Sequence, residues 1–234
     1  MATDVASPAP FVLTLPGVYA PQHDTCLLMR ALEREALAPG ARVLDLGTGS
    51  GALAIRAAQL GGSVTAVDLS RRAVLTARAN ARLHRHRIDV RRSDLTAAVR
   101  GRTYDLVLCN PPYVPSPEPE LPGHGRARAW DAGLDGRVVL DRVCDGAREA
   151  LRTGGVLLMV HSALCDPGLT VERLRRAGLP AEVRERALVP LGPVLRSRRA
   201  WLRDRGLLGR GADSEELVVV RAVHAGSPAA DPPV

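Results

Sequence analysis

Val43-Leu44-Asp45-Leu46-Gly47-Thr48-Gly49-Ser50-Gly51 reads as a buried strand running into a glycine turn, and the helical pattern Ala52 to Leu60 follows at once. That is the opening unit of a nucleotide-type sheet. Glycines at 47, 49 and 51 let the backbone turn tightly and approach a ligand that any side chain would obstruct. The spacing is G-x-G-x-G, whereas a dinucleotide site more usually reads G-x-G-x-x-G. A phosphate loop needs Gly-Lys-Ser/Thr, which cannot occur in this 234-residue chain because it contains no lysine. Asp45 would set a negative charge where a pyrophosphate sits. It therefore opposes NAD and favours a ligand with a cationic amine, such as S-adenosylmethionine.

A second apolar strand, Ser63 to Val67, ends in Asp68, and a carboxylate at the tip of the second strand can accept hydrogen bonds from both ribose hydroxyls. After a third short strand, Asp94 can accept an adenine amine and Leu95 can pack on the ring. Both aspartates also suit the N-cap of a following helix, and Ser70 stands before a helix too, so each taken singly remains ambiguous.

The apolar run Tyr104 to Cys109 ends in Asn110-Pro111-Pro112-Tyr113. Two prolines cannot continue a sheet ladder, so the strand stops and turns there. Alone, such a stretch could be no more than a turn into a surface loop. Beside the glycine turn it reads as a clamp: the Asn110 amide and the Pro111 carbonyl accept both hydrogens of an -NH2 group while Tyr113 offers a flat face.

Helices are expected near 24–37, 50–60, 71–84, 135–152 and 168–177, and strands near 42–46, 63–67, 88–91, 104–109, 155–160, 181–187 and 216–222. This alternation predicts an α/β fold: a mostly parallel seven-stranded sheet with helices on both faces and ligands at the carboxyl ends of the strands. The last strand is expected as an antiparallel edge. Residues 1–15 read as an N-terminal extension, 16–223 as a single domain and 224–234 as a disordered tail. The proline- and glycine-rich stretch 115–125 reads as a substrate loop.

An apolar fraction of 46% excludes wholesale disorder, and no apolar run reaches the ~18–20 residues of a membrane span. The first ten residues do not read as a signal peptide, so a cytoplasmic protein with no membrane partner is expected. Cys26, Cys109, Cys144 and Cys165 lack C-x-x-C spacing, so no metal site is expected, and Cys109 suits a buried filler. The net charge of +7 is carried wholly by arginine and favours acidic or nucleic-acid-bound partners. Within a basic insertion at about 189–213, Leu195 to Gly206 reads as an arginine-rich helix. It could touch RNA or close over substrate, or be a solvated amphipathic helix whose Trp201 packs down.

The chain resembles the HemK-type class I methyltransferases, which methylate a glutamine side-chain amide in translation release factors. The likeness is to the short form that lacks a separate N-terminal helical domain. It rests on Val18-Tyr19-Ala20-Pro21-Gln22-His23-Asp24-Thr25, on the glycine turn, on Asn110 to Val114 with Gly123-His124-Gly125, Ala129-Trp130 and Gly136-Arg137, and on Glu215 to Val220. The resemblance implies that Thr25 meets the methionine end of S-adenosylmethionine, that Asp45 and Gly47 line its amino-acid portion, and that Asp68 holds its ribose. Asp94 and Leu95 would hold adenine, and Asn110 would touch both cofactor and glutamine. Ala20 and His23 stand where the short form is often acidic. The relatives work with a small zinc-binding activator subunit, which makes one a candidate partner.

An adenine-N6 or other nucleic-acid amine methyltransferase is the nearest rival, since an exocyclic amine fits the same clamp. No spare segment is large enough for a target-recognition domain, and the stacking surface is thin. A non-catalytic scaffold that binds S-adenosylmethionine or RNA would have no need of the clamp, and Asp45 opposes a nicotinamide oxidoreductase.

Overall fold

The computed structural model describes residues 9–226 except residue 124. In chain order its elements are helix α1 (His23–Glu33), strand β1 (Arg42–Leu46), α2 (Ala52–Gln59), β2 (Ser63–Asp68), α3 (Arg71–Leu83), β3 (Asp89–Arg92), β4 (Tyr104–Cys109), α4 (Val138–Ala150), β5 (Leu151–Ser162), α5 (Pro167–Arg176), β6 (Ala181–Pro190), two short helices α6 (Pro193–Ser197) and α7 (Arg199–Asp204), and β7 (Ser214–Val223). Short 3₁₀ turns lie at Leu95–Val99, Arg126–Ala129 and Ala163–Cys165.

The seven strands form one sheet in the order β3-β2-β1-β4-β5-β7-β6. The first five strands pair in parallel, as their nearly continuous apolar runs require: Val43, Leu44, Ala66, Val67, Leu106, Val107 and Leu108 are buried with helices covering both faces.

The sequence reading puts the last strand at the edge, and the structure corrects this. β7 runs antiparallel between β5 and β6, and β6 is the rim. Consecutive residues on a strand face opposite sides, so Val218, Val219 and Val220, all fully buried, need cover on both faces and a neighbour on each flank. On β6, by contrast, Glu182, Arg184 and Arg186 are exposed, which is the charged pattern that keeps a free edge from pairing with another chain.

The single basic helix expected at 195–206 is also corrected: the chain breaks at Arg198 into α6 and α7. Leu191, Leu195, Leu202 and Leu208 form a small core of their own, on which Trp201 packs. The described part of the N-terminal extension is held along α3, where the buried Asn80 amide accepts from Leu13 N and donates to Leu13 O, both at 2.9 Å. Of the expected tail, His224 still donates its N–H to Gly155 O. Residues 227–234, and His124 of the substrate loop, lie outside the described residues.

Candidate active site

Parallel pairing of β1 with β2 and β4 brings the carboxyl ends of these strands together at one rim. Thr25, Gly47, Gly49, Asp68, Asp94, Leu95, Asn110, Pro111, Pro112 and Tyr113 all line a single cleft there. Asp45 and Gly51 do not. Gly47, Gly49 and Gly51 have φ of +73°, +55° and +87°, the left-handed conformation that side chains resist. A Cβ at Gly47 would meet nothing nearer than the Asn110 carbonyl at 3.9 Å, whereas one at Gly51 would press on Ala77 of α3 at 3.2 Å. Gly51 therefore serves the packing of α2 on α3.

Four backbone N–H groups of the turn are already engaged. Gly47 N and Thr48 N donate to Val67 O at 2.9 and 3.0 Å, Gly49 N donates to Asp68 Oδ2 at 2.9 Å, and Gly51 N donates to Thr48 O at 2.8 Å. A turn so occupied offers no cradle for a pyrophosphate. Beneath it Asp45 is fully buried and accepts from Thr48 Oγ1 at 2.6 Å. Burial pushes its carboxyl up to about 7, and the charge of Asp68 adds to the rise.

Asp68 is not the cap of α3. Ser70 takes that place, accepting from Ala73 N, while the Asp68 carboxylate accepts from Gly49 N and Ser70 N and so ties the tip of β2 to the glycine turn. Burial raises its pKa. Asp94 precedes the 3₁₀ turn without capping it through its side chain, and its Oδ2 accepts from Arg142 at 2.8 Å.

At the clamp, Asn110 Nδ2 points to Thr25 Oγ1 at 3.4 Å, which leaves Oδ1 to accept. Among the described residues no donor occupies the Pro111 carbonyl. Tyr113 offers less face than the sequence reading expects, being 9% exposed with its hydroxyl donated to Asp24 Oδ2 at 3.0 Å. Tyr19 donates to the same oxygen at 2.7 Å, and Thr25 donates its N–H and hydroxyl to Asp24 Oδ1 at 2.5 and 3.1 Å.

Asp24 is thus the buried hub of the site. Sequence reasoning assigned it no role, although its place beside Thr25 in the first family segment was the available signal. Glu215 was missed as well. It is buried near both tyrosines, and burial with the Asp24 charge lifts its carboxyl to about 7 against a hydrogen bond from Ser162. Cys109 is buried with its thiol pushed far up, as a filler would be.

The donor set fits S-adenosylmethionine. Two carboxylates, Asp68 and Asp94, stand at successive strand tips, where ribose hydroxyls and an adenine amine would find acceptors, and the two arginines that line the cleft serve these carboxylates: Arg142 donates to Asp94, and the charge of Arg128 acts on Asp68. The methyltransferase small domain model matches residues 10–120. A protein from Methanocaldococcus jannaschii, named as an N5-glutamine methyltransferase, is 35% identical over 181 residues, which are 77% of this chain and 90% of that protein. The chain belongs to the HemK-type glutamine methyltransferases. Its likeness to the bacterial members spans a smaller share of the relative: the release factor glutamine methyltransferase of Deinococcus radiodurans is 38% identical over 186 residues, covering 76% of this chain and 63% of that one. Among solved structures, a chain of the E. cuniculi Mtq2-Trm112 complex, responsible for methylation of the eRF1 translation termination factor, superposes with a TM-score of 0.59 at 26% identity and covers 88% of this chain and 98% of its own. The fold is that of the class I S-adenosylmethionine-dependent methyltransferases, and the cofactor of this HemK-type chain is S-adenosylmethionine.

Proposed function

We propose that the chain methylates the side-chain amide nitrogen of a glutamine in a peptide chain release factor, within its Gly-Gly-Gln motif. The orientation of Asn110 carries this reading. With its Nδ2 turned toward Thr25, its Oδ1 and the Pro111 carbonyl form a pair of acceptors matched to the two N–H bonds of a primary amide. The names of the M. jannaschii and D. radiodurans relatives support the same substrate class.

S-adenosylmethionine supplies an electrophilic methyl group when bound. The residues of this chain do the rest. Asp68, Asp94 and Leu95 hold the adenosine, Gly47 and Gly49 leave room for it, and Thr25 meets its methionine end. A neutral amide nitrogen is a poor nucleophile because its lone pair is delocalised, so the clamp must orient it and stabilise the positive charge that grows on it. Asn110 Oδ1 and Pro111 O do both by accepting its N–H bonds, Pro112 stops the strand so that the carbonyl stays free, and Tyr113, anchored on Asp24, walls the site. Water takes the proton afterwards, and no side chain serves as general base.

The E. cuniculi complex with Trm112 supports an activator subunit for this chain too. No helix among the described residues is long and apolar enough to cross a membrane. A release-factor substrate supports a cytoplasmic site of action.

The test is methyl transfer from radiolabelled S-adenosylmethionine to purified release factor and to its Gly-Gly-Gln glutamine-to-alanine variant, with plasmid DNA and ribosomal RNA in parallel. Label on the wild-type factor alone is expected. Label on nucleic acid alone would overturn the reading and mean that the clamp holds a base.

A further inference from the structure

A second cleft lies at the opposite end of the sheet. Its floor is built from the first residues of four parallel strands, Arg42 of β1, Ser63 of β2, Asp89 of β3 and Tyr104 of β4, and its wall comes from α3 and the segment after it. Open α/β sheets place their reaction chemistry at the carboxyl ends of the strands, so this amino-end cleft is no part of the methyl-transfer machinery.

Its charge is one-sided. Residues 71–102 hold ten arginines and two aspartates, a larger excess than the arginine-rich insertion carries. Arg42, Arg78, Arg82, Arg87 and Arg102 all line the cleft. Its one carboxylate, Asp89, is occupied by Arg91 at 2.7 Å and reaches Arg102 at 3.9 Å. Among the described residues no carboxylate lies within ion-pair distance of Arg42, Arg82 or Arg87. Arg78 donates only to the Val90 carbonyl, which leaves its charge uncompensated. The dipole of α3 accounts for one cation, Arg82 in its last turn, worth about 0.3–1 kcal/mol; it does not account for five.

Tyr104 supplies an independent sign. Arg42 lies over its ring at 5.2 Å, and its hydroxyl is buried without a hydrogen-bond partner. Buried hydroxyls are nearly always partnered, so one left without a partner beside guanidiniums that outnumber the nearby carboxylates, Asp89 and the Arg152-paired Asp105, points to a ligand that brings acceptors.

We propose that this cleft binds phosphate groups, held by the guanidiniums of Arg42, Arg82, Arg87 and Arg102. A compact polyphosphate and the backbone of an RNA strand present the same chemistry, and the test separates them. The full chain is titrated with a fluorescein-labelled single-stranded RNA and, in competition, with inorganic tripolyphosphate, following anisotropy between about 50 and 200 mM salt. The double variant Arg82→Glu/Arg87→Glu, whose side chains are exposed, is expected to bind at least about tenfold more weakly and to lose about 1.4 from the logarithmic salt slope, the value for two lost contacts to a single strand. Arg42→Gln provides a milder second variant, expected to weaken binding about threefold.

Arg205→Glu/Arg210→Glu, both exposed in the insertion, makes the same change in net charge, serves as the control for charge alone and is expected to change affinity less than about twofold. Competition by tripolyphosphate assigns the cleft to a compact phosphorylated ligand. Binding of RNA that tripolyphosphate does not displace assigns it to a nucleic-acid backbone. Either upholds the site. Equal losses in the Arg82→Glu/Arg87→Glu variant and in Arg205→Glu/Arg210→Glu, or no binding of either probe, overturn it. Methylation of free release factor by the Arg82→Glu/Arg87→Glu variant should stay within about twofold of wild type, so the result is separable from the methyl-transfer reading.

Discussion

The Tyr113 hydroxyl donates to Asp24 Oδ2 at 3.0 Å across 89 residues of chain. This bond joins the far end of the clamp to the first turn of α1, and Thr25, the neighbour of Asp24, accepts from the Asn110 amide. The two ends of the acceptor clamp are therefore braced on adjacent residues.

Asp24→Ala is expected to orphan both tyrosine hydroxyls and the Thr25 N–H. A buried donor left unpaired costs about 1–3 kcal/mol, so thermal stability should fall measurably and turnover by about a hundredfold or more as the clamp loosens. Melting curves and single-turnover methylation check this; unchanged turnover would mean that the brace does not matter.

Asn110→Ala removes one acceptor of the pair. Turnover should nearly vanish while affinity for S-adenosylmethionine stays within a few-fold, as read by calorimetry. Thr25→Val is milder: the Asn110 amide loses the partner that fixes its orientation, and turnover should drop about tenfold.

Gly136→Ala acts on the clamp from behind. Gly136 has φ of +74°, and a Cβ there would overlap the Tyr113 carbonyl oxygen and come within 2.7 Å of Cys165 Sγ, which itself donates to that carbonyl at 2.9 Å. Backbone strain and overpacking together should cost about 2–4 kcal/mol and move the clamp, so both melting temperature and turnover are expected to fall.

Glu215 gives a pH dependence of known sign. Its folded pKa of about 7 lies above the ordinary value of 4.5, so its contribution is fully present below pH 4.5 and lost as pH rises through 7. The difference is about 3 kcal/mol at most. Glu215→Gln should therefore gain melting temperature relative to wild type between pH 5 and 8. Buried Asp45 works in the same direction and His161, lowered to about 4 by burial, in the opposite one, its contribution being lost as pH falls from 6.5 through 4; both remain in the variant, so the difference reports Glu215. A flat difference across that range would refute the shift.

Arg198 docks the insertion beside the clamp through a bidentate pair with Asp131, at 2.6 and 3.0 Å, and a bond to Pro115 O at 3.0 Å. Asp131 pairs in turn with Val114, the residue that follows the clamp. A double-mutant cycle on Arg198→Ala and Asp131→Ala should yield a coupling of about 1–3 kcal/mol in stability; additive effects would show that the pair holds nothing.

The strand ends of the site were legible because they are local. β1 and β4 lie where their apolar runs put them, at 42–46 and 104–109, and the glycines and prolines that follow can only turn. The β5 boundary was read less well: the strand begins at Leu151, directly after α4, where helical periodicity suggested a longer helix. Gly51 belongs to the same glycine pattern as Gly47 yet serves helix packing, and nothing in the spacing separates the two tasks.

The sequence by itself determined the α/β alternation, the glycine turn, the Asn110-Pro111-Pro112 turn that ends β4 and the carboxylates at two strand tips, because propensity, periodicity and turn chemistry act between near neighbours. Only the tertiary structure decided that Asp24 lies between two tyrosines, that β7 runs inside the sheet while charged β6 forms its rim, that the insertion breaks at Arg198, and that five arginines gather at the amino ends of the strands. Each of these depends on which distant segments meet, and contact across long loops is set by burial and pairing over the whole chain rather than by any run of residues within it.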